Sequence, residues 1–191
     1  MVTGAILEHV QRIGVTVTFL RMDSPPARPQ RVLPPDATLA AVPRCSVAFY
    51  RYLYDTVGGP HLWWLRRTLS DGALATLLSD PVVSIHVLYR AGEPAGFFEL
   101  DRRGGETVNL GYFGLMPHAV GQGLGAAFLG SAVAAAWQGG TRALTVNTCT
   151  ADHPRALPVY MRAGFLPVRR IDETWDVPLR LGLKVPRHLL G

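Results

Sequence analysis

GYFGLMPHAVGQGLGAAFL, residues 111–129, holds the pattern on which the reading of this chain turns. At its centre Gly121, Gly123 and Gly125 alternate with Gln122 and Leu124, and an alanine-rich run follows. Glycine adopts left-handed backbone conformations freely and lets a ligand approach the main chain. The first turn of a helix leaves N–H groups unpaired and carries partial positive charge. Glycines at the mouth of a helix therefore predict an anion-binding loop.

Two phosphate-binding devices do not fit it. A nucleotide P-loop places Lys and Ser or Thr after its last glycine, where this chain has Ala126 and Ala127. A dinucleotide fold starts its glycines directly after the first strand and needs an acidic residue near the end of the second. Here residues 116–120 separate strand from loop, and the next strand, ALTVNTCT (143–150), contains no acid.

Outward from the loop, the chain reads as alternating elements. RIGVTVTFLR (12–21) is β-branched and predicts a first strand. A proline-rich stretch, Ser24 to Pro35 with Pro25, Pro26, Pro29 and Pro34, reads as an extended crossover along the surface. SVAFYRYLYDTVGG (46–59) predicts a helix with Val47, Tyr50, Tyr54 and Val57 on one face and Gly58-Gly59 as its stop. Residues 62–79 read as a second helical region carrying Trp63 and Trp64, breaking at Ser70 as a cap and ending before Pro81. VVSIHVLYR and PAGFFELDR form a hairpin across Ala91-Gly92-Glu93, and a turn at Gly104-Gly105 leads into ETVNLGYFGLM. These three strands predict an antiparallel meander. After the loop come a helix (126–137), a strand (142–150), a helix (153–164) and a strand (165–172), an order that predicts parallel neighbours. The last fifteen residues carry no signal. The expected fold is a mixed α/β sheet with helices on both faces.

The composition supports this reading. The chain has 191 residues, 48% hydrophobic and 17% charged. That length suits one domain with a full core, read as residues 1–191: 14–80 for the first strand, crossover and first helices, 82–170 for the core around the loop. No apolar run reaches the roughly 18 residues of a membrane span, and the N-terminus lacks the pattern of a secretory signal. A cytoplasmic protein without membrane partners is expected. The net charge of +5 is spread over pairs such as Arg66-Arg67, Arg102-Arg103 and Arg169-Arg170, without a nucleic-acid-binding module, so nucleic acid is not an expected partner. Cys45 and Cys149 lack metal or redox spacing and read as free thiols; no metal is expected.

Taken together, YFGLMP, the loop and the downstream YMRAGF (160–165) resemble the GNAT superfamily of acyl-CoA-dependent N-acetyltransferases, in order and spacing, over residues 82–170. HLWWLRR and GFFELDR further resemble a bacterial subgroup of that superfamily. The resemblance implies a three-layer α-β-α fold, with an antiparallel N-terminal meander and a parallel C-terminal half around a splayed strand pair. It implies acetyl-CoA as co-substrate, a small amine or peptide as acceptor, and direct transfer of the acetyl group; a homodimer is a candidate assembly. Gly123 and Gly125 match the two glycines of the family's loop, and Val120 stands where a basic or amide residue is usual. The implied cofactor-binding residues are Leu115, Met116, Pro117, Val120, Gly121, Gln122, Gly123, Leu124, Gly125, Ala126, Asn147 and Tyr160. Gly111 and Gly114 suit a bulge that frees the amides of Leu115 and Met116 for the thioester and pantetheine arm.

Acetyl transfer to an amine needs a polarised thioester, a group that takes the amine proton, and a proton for the leaving thiolate. Tyr160 is the expected acid toward the thiolate; the competing reading is an ordinary amphipathic helix tyrosine. Where many members carry a glutamate on the bulged strand, this chain has Asn109, which takes no proton. Glu99, among Phe97, Phe98 and Leu100, is the expected substitute, because lost hydration strengthens a carboxylate as a base. The competing reading is a structural glutamate paired with arginine. Asp152 and His118 stand behind it, and a water chain is the remaining option. Tyr54, His61, Trp63 and Trp64 are the expected acceptor wall, with Asn109 beside them. One tryptophan is expected in the core and the other on the pocket, since helix neighbours do not share a face. The rival reading of the whole chain is a catalytically weak acyl-CoA-binding regulator.

Overall fold

The computed structural model describes residues 8–27 and 31–190. Residues 1–7 of the N-terminus and Pro29 of the crossover lie outside the described residues. Seven strands form one sheet: β1 (Val10–Met22), β2 (Ala37–Ala41), β3 (Val83–Arg90), β4 (Glu93–Gly104), β5 (Thr107–Leu115), β6 (Ala143–Cys149) and β7 (Leu166–Pro178). Their spatial order is β2-β3-β4-β5-β6-β1-β7. The meander β3-β4-β5 is antiparallel as expected. β5 and β6 are parallel, and β7 runs in their direction; β1 lies between β6 and β7, antiparallel to both.

The helices are α1 (Val47–Gly58), α2 (Asp71–Ser79), α3 (Leu124–Ala136) and α4 (Ala156–Arg162). Alternation along β4 shows how they make three layers. Phe97 packs under α1 with Tyr50, Tyr54 and Val57, while the neighbouring Phe98 packs under α3 with Phe128 and Leu129. The buried face of α1, Tyr50, Leu53, Tyr54 and Val57, repeats at helical spacing. Ser46 and Ser70 cap α1 and α2, each accepting a backbone N–H three residues on. Among the described residues no helix is long and apolar enough to cross a membrane.

Three expectations change. A short edge strand follows the crossover: β2 pairs with β3 from Ala37↔Arg90 to Ala41↔His86. Residues 62–69 do not continue a helix. A 3₁₀ turn at Gly59–His61 passes into Leu62 in the left-handed region, and a second 3₁₀ turn spans Leu65–Thr68. A methyl on Gly58 would lie 2.4 Å from Trp63 Cβ, so Gly58 serves a close approach of the tryptophan. The silent C-terminus also has work: Leu183, Val185 and Leu189 pack on Ile13, Val15 and Val177.

Candidate active site

Beyond Asn109↔Thr145 the pairing of β5 with β6 ends, although both strands continue. The split begins beside a bulge: Tyr112 faces Glu99 and Leu110 faces Leu100, which leaves Gly111 as the unopposed extra residue. A cavity of about 950 Å³ occupies the split.

The glycine loop forms one end of this cavity. Gly121 and Gly123 have φ of 84° and 77°, the left-handed region that disfavours other residues, and nothing lies within 4 Å of a methyl built on either. Their backbone conformation, rather than crowding, is what calls for glycine. Gly123 caps α3, whose first turn opens the unpaired amides of Leu124, Gly125 and Ala126 toward the cavity they line. Val120, half exposed, lines it too, whereas Met116, Pro117 and Gln122 do not. Pro117 starts a 3₁₀ turn that carries the chain out of β5. Gln122 latches the loop from behind, donating to the His118 carbonyl at 2.6 Å and accepting from Arg90 at 2.5 Å.

The amides of the split strand differ from expectation at one position. Met116 donates its N–H to Ala95 on β4 at 2.9 Å, so that amide is spent. Main-chain N–H groups alternate sides along an antiparallel strand. Leu115 and Phe113 therefore point theirs away from β4, toward the gap, and Phe113 takes the place expected of Met116.

Tyr160 and Asn147 line the same cavity. The tyrosine ring is buried against Phe113 and Phe165, and its hydroxyl makes no hydrogen bond within the described residues. Burial, with Asp152 nearby, pushes its pKa well above that of a free tyrosine, so it is a neutral donor at pH 7. Asn147 is exposed on β6, opposite Phe19 of β1. Asn109 accepts from the Thr145 hydroxyl at 3.1 Å, at the last paired position before the split. Cys149 also lines the cavity; burial and then Asp152 push its thiol up to about 12. It stays protonated at neutral pH and offers no nucleophile.

The opposite wall is a side-chain network. Glu99 is 1% exposed and paired with arginine, as its competing reading has it. Arg66 holds one of its oxygens at 2.6 Å, and the Tyr50 hydroxyl donates to the other at 2.5 Å. Burial works against the charge on Arg66, but Glu99, Tyr112 and Tyr50 outweigh it and raise the pKa. Its guanidinium also sits 5.2 Å from the centre of the Tyr112 ring, within cation–π range. Tyr54 packs edge-on to Tyr112 and accepts from the Arg66 amide. Trp63 and Trp64 both line the cavity, because the backbone that presents them is not helical. Trp63 donates to Asp152 at 3.3 Å; that carboxylate also accepts from the Thr148 hydroxyl and the Cys149 amide. His61 lines the cavity 6.1 Å from the ring of His153. Burial first, and His153 second, lower its pKa against the pull of Asp152, so it is neutral at pH 7.

Sequence reasoning passed over Arg66, Tyr112, Glu173 and Trp175, all of which line the cavity. In the sequence Arg66 is one of several arginine pairs with nothing to set it apart, and the strand pattern of β7 gives out at residue 172, short of Glu173 and Trp175. Among the described residues no cluster of three or more His, Cys, Asp or Glu is arranged to hold a metal.

Fold and cavity together define a mixed α/β protein in which a helix-mouth loop faces a split sheet. A model of the acetyltransferase (GNAT) family matches residues 46–165, well over half of the 191, and the chain belongs to that family. Solved structures agree on the fold. A GCN5-related N-acetyltransferase from Sphaerobacter thermophilus superposes with a TM-score of 0.62 at 15% identity, over 89% of this chain and 54% of that one. A GCN5-related N-acetyltransferase from Kribbella flavida gives 0.56 at 17% identity, over 85% and 60%. A tandem GNAT protein from the clavulanic acid biosynthesis pathway gives 0.58 at 14%, over 88% and 55%. The chain thus spans little more than half the length of these structures. No curated protein matches it.

Proposed function

We propose that this protein moves an acetyl group from acetyl-CoA to a primary amine by direct transfer. One observation carries the reading: the glycine loop, the outward amides of Leu115 and Phe113, and the Tyr160 hydroxyl, without a partner among the described residues, all meet in one cavity. The pyrophosphate sits on the amides of residues 121–126 at the positive end of α3, and the pantetheine arm follows the split past Asn147. A backbone amide in the gap polarises the thioester carbonyl. The amine nitrogen attacks the carbonyl carbon, the C–S bond breaks, and Tyr160 donates toward the departing thiolate.

For the amine proton, Glu99 was the expected acceptor, but both its oxygens are engaged. In our reading Glu99 instead fixes Arg66 and the aromatic wall, and His61, neutral and in the cavity, takes the proton. The Cys149 thiol, protonated at neutral pH, supports direct transfer over an acyl-enzyme. The aromatic wall of Tyr54, Trp63, Trp64 and Tyr112 suits an apolar or cationic acceptor.

Thermal unfolding with acetyl-CoA, CoA, NAD and ATP, each near millimolar, tests this. A ligand bound about a thousandfold below its concentration stabilises by about 4 kcal/mol. Stabilisation by both CoA species and not by NAD or ATP is expected; no response to CoA would overturn the assignment. The second reading, an acyl-CoA-binding regulator, rests on Val120 in the loop and on Asn109 where a base is usual. It would show binding without CoA release for any amine.

A further inference from the structure

The cavity reaches from the split across the sheet to β7, on the face that α1 covers. Glu99 and Asp101 point to that face with Phe97, and Asp101, Asn109 and Thr145 oppose one another across β4, β5 and β6. Alternation along β6 puts Asn147 and Cys149 on the same face. The pairs Cys149↔Val17 and Val15↔Glu173 carry that face over β1 to β7. On this face α1 and α2 pack over β3, β4 and β5. The cluster over β1 and β7 holds no α-helix residue; Leu62, Trp64 and the C-terminal Leu189 close it instead. Val17, Phe19, Trp64, Glu173 and Trp175 line the cavity there. Glu173 stands two strands and two residues from Cys149, about 12 Å along the sheet.

Charge sets this end of the cavity apart. Among the lining carboxylates, Glu99 is held by Arg66 at 2.6 Å and Asp101 by Arg103 at 2.8 Å. Asp152 accepts from the Trp63 indole, the Thr148 hydroxyl and the Cys149 amide, which occupy both its oxygens. Glu173 accepts on one oxygen from the Trp175 indole at 2.8 Å. Its other oxygen has no hydrogen-bond donor, and the carboxylate no cation, among the described residues. Glu173 is half-buried, and a charge shielded from water attracts a cation more strongly than an open one does. The other arginines of the cavity lie apart from it: Arg155 and Arg162 bracket α4, which packs with α3 on the opposite face, and Arg31 belongs to the crossover. Trp64 and Trp175 add aromatic surface, which also favours a cation.

We propose that the acceptor is a small molecule with two amino groups, and that Glu173, with Trp64 and Trp175 beside it, holds one as a cation while the other enters the split. The proposal rests on the transfer reading above and narrows its acceptor. Glu173 is then a specificity residue: it binds the far end of the substrate and takes no part in proton transfer.

The test is calorimetric titration, without CoA, of straight-chain diamines from propane to decane with an amine at each end. The longer diamines are expected to bind best, because the two ends must reach across the sheet. Glu173→Gln keeps an acceptor for the Trp175 indole and is expected to weaken the best diamine at least about tenfold. Asp172→Asn removes the same charge from the neighbouring residue, which is exposed and bonded to Thr16 on the other face; it is expected to leave that affinity within about twofold. With acetyl-CoA present, Glu173→Gln is expected to raise KM for the diamine by a similar factor and to move kcat far less. A wild type that binds none of the diamines, or equal losses in Glu173→Gln and Asp172→Asn, would overturn the proposal. So would a Glu173→Gln affinity unchanged from wild type. Glu173-dependent binding with no acetylated product would uphold the cation subsite and count against the transfer reading instead.

Discussion

The two walls of the cavity are made of different material. The loop side is backbone: Gly121 and Gly123 in left-handed conformations and the open first turn of α3. The opposite side is side chain: Glu99, Arg66, Tyr50, Tyr54, Tyr112 and Trp63 hold one another. A backbone device depends on φ and on leaving N–H groups open, and tolerates exchange of neighbouring side chains. A network depends on each member, since a buried partner left alone loses its compensation. The loop wall should therefore answer to substitution mainly in binding, and the network wall mainly in stability.

The sharpest way to break this contrast is Glu99→Ala. It strands Arg66, whose side chain is 20% exposed, and the Tyr50 hydroxyl. A loss of about 3–5 kcal/mol is expected in denaturant unfolding, as for a buried pair deprived of one partner. A loss of less than about 1 kcal/mol would mean the network does not hold the wall.

Two identical chemical changes then separate the walls. Tyr160→Phe is expected to lower kcat about a hundredfold while changing stability by less than about 0.5 kcal/mol, because its hydroxyl has no partner among the described residues. Tyr50→Phe, which removes a donor from a buried carboxylate, is expected to destabilise by about 1.5–3 kcal/mol. Unfolding curves and turnover measured on both variants would show whether the effects cross as stated.

On the loop side, Gly123→Ala keeps the space but forces a left-handed alanine, a strain of about 1–2 kcal/mol. Calorimetric titration with CoA is expected to show weakened binding, by about tenfold if the strain is relieved by moving the loop. Unchanged affinity would show that the loop conformation does not matter for binding.

The smallest expected effect is in pH. Burial lowers the pKa of His61 and of His86 from 6.5, helped by His153 and by Arg102 respectively. Both bind protons more tightly when unfolded, so stability is complete above that value and falls as the pH drops through it toward the folded pKa values. Denaturant midpoints between roughly pH 7 and 5 should decline, and His61→Asn should remove the share that belongs to the cavity. A flat profile would show that neither ring is held neutral by the fold.

The contrast also explains what could be read in the chain before folding. Gly121-Gln122-Gly123 announces its backbone because glycine spacing is itself the device, and the YMRAGF stretch sets Tyr160 on a helix that ends at Gly164. Ser70 announces its cap in the same local way. Glu99 stood between a base and an arginine-paired glutamate, because its partners Tyr50 and Arg66 lie 49 and 33 residues away. Trp63 misled for a related reason: apolar spacing suggested a helix, while packing against Gly58, Tyr54 and Tyr112 bent the chain out of it. β2 was silent because Ala37–Ala41 gains its strand character only from the edge of β3.

By itself the sequence determined the elements whose signals are local: the meander, the glycine-led helix, the Ser70 cap, and the place of Tyr160 on a helix before a glycine stop. Only the tertiary structure decided that β1 lies between β6 and β7, that the amide of Phe113 rather than that of Met116 faces the split, and that Arg66 is the arginine which holds Glu99. Each of those is a contact between residues far apart in the chain, and no local pattern encodes which distant partner a buried group will meet.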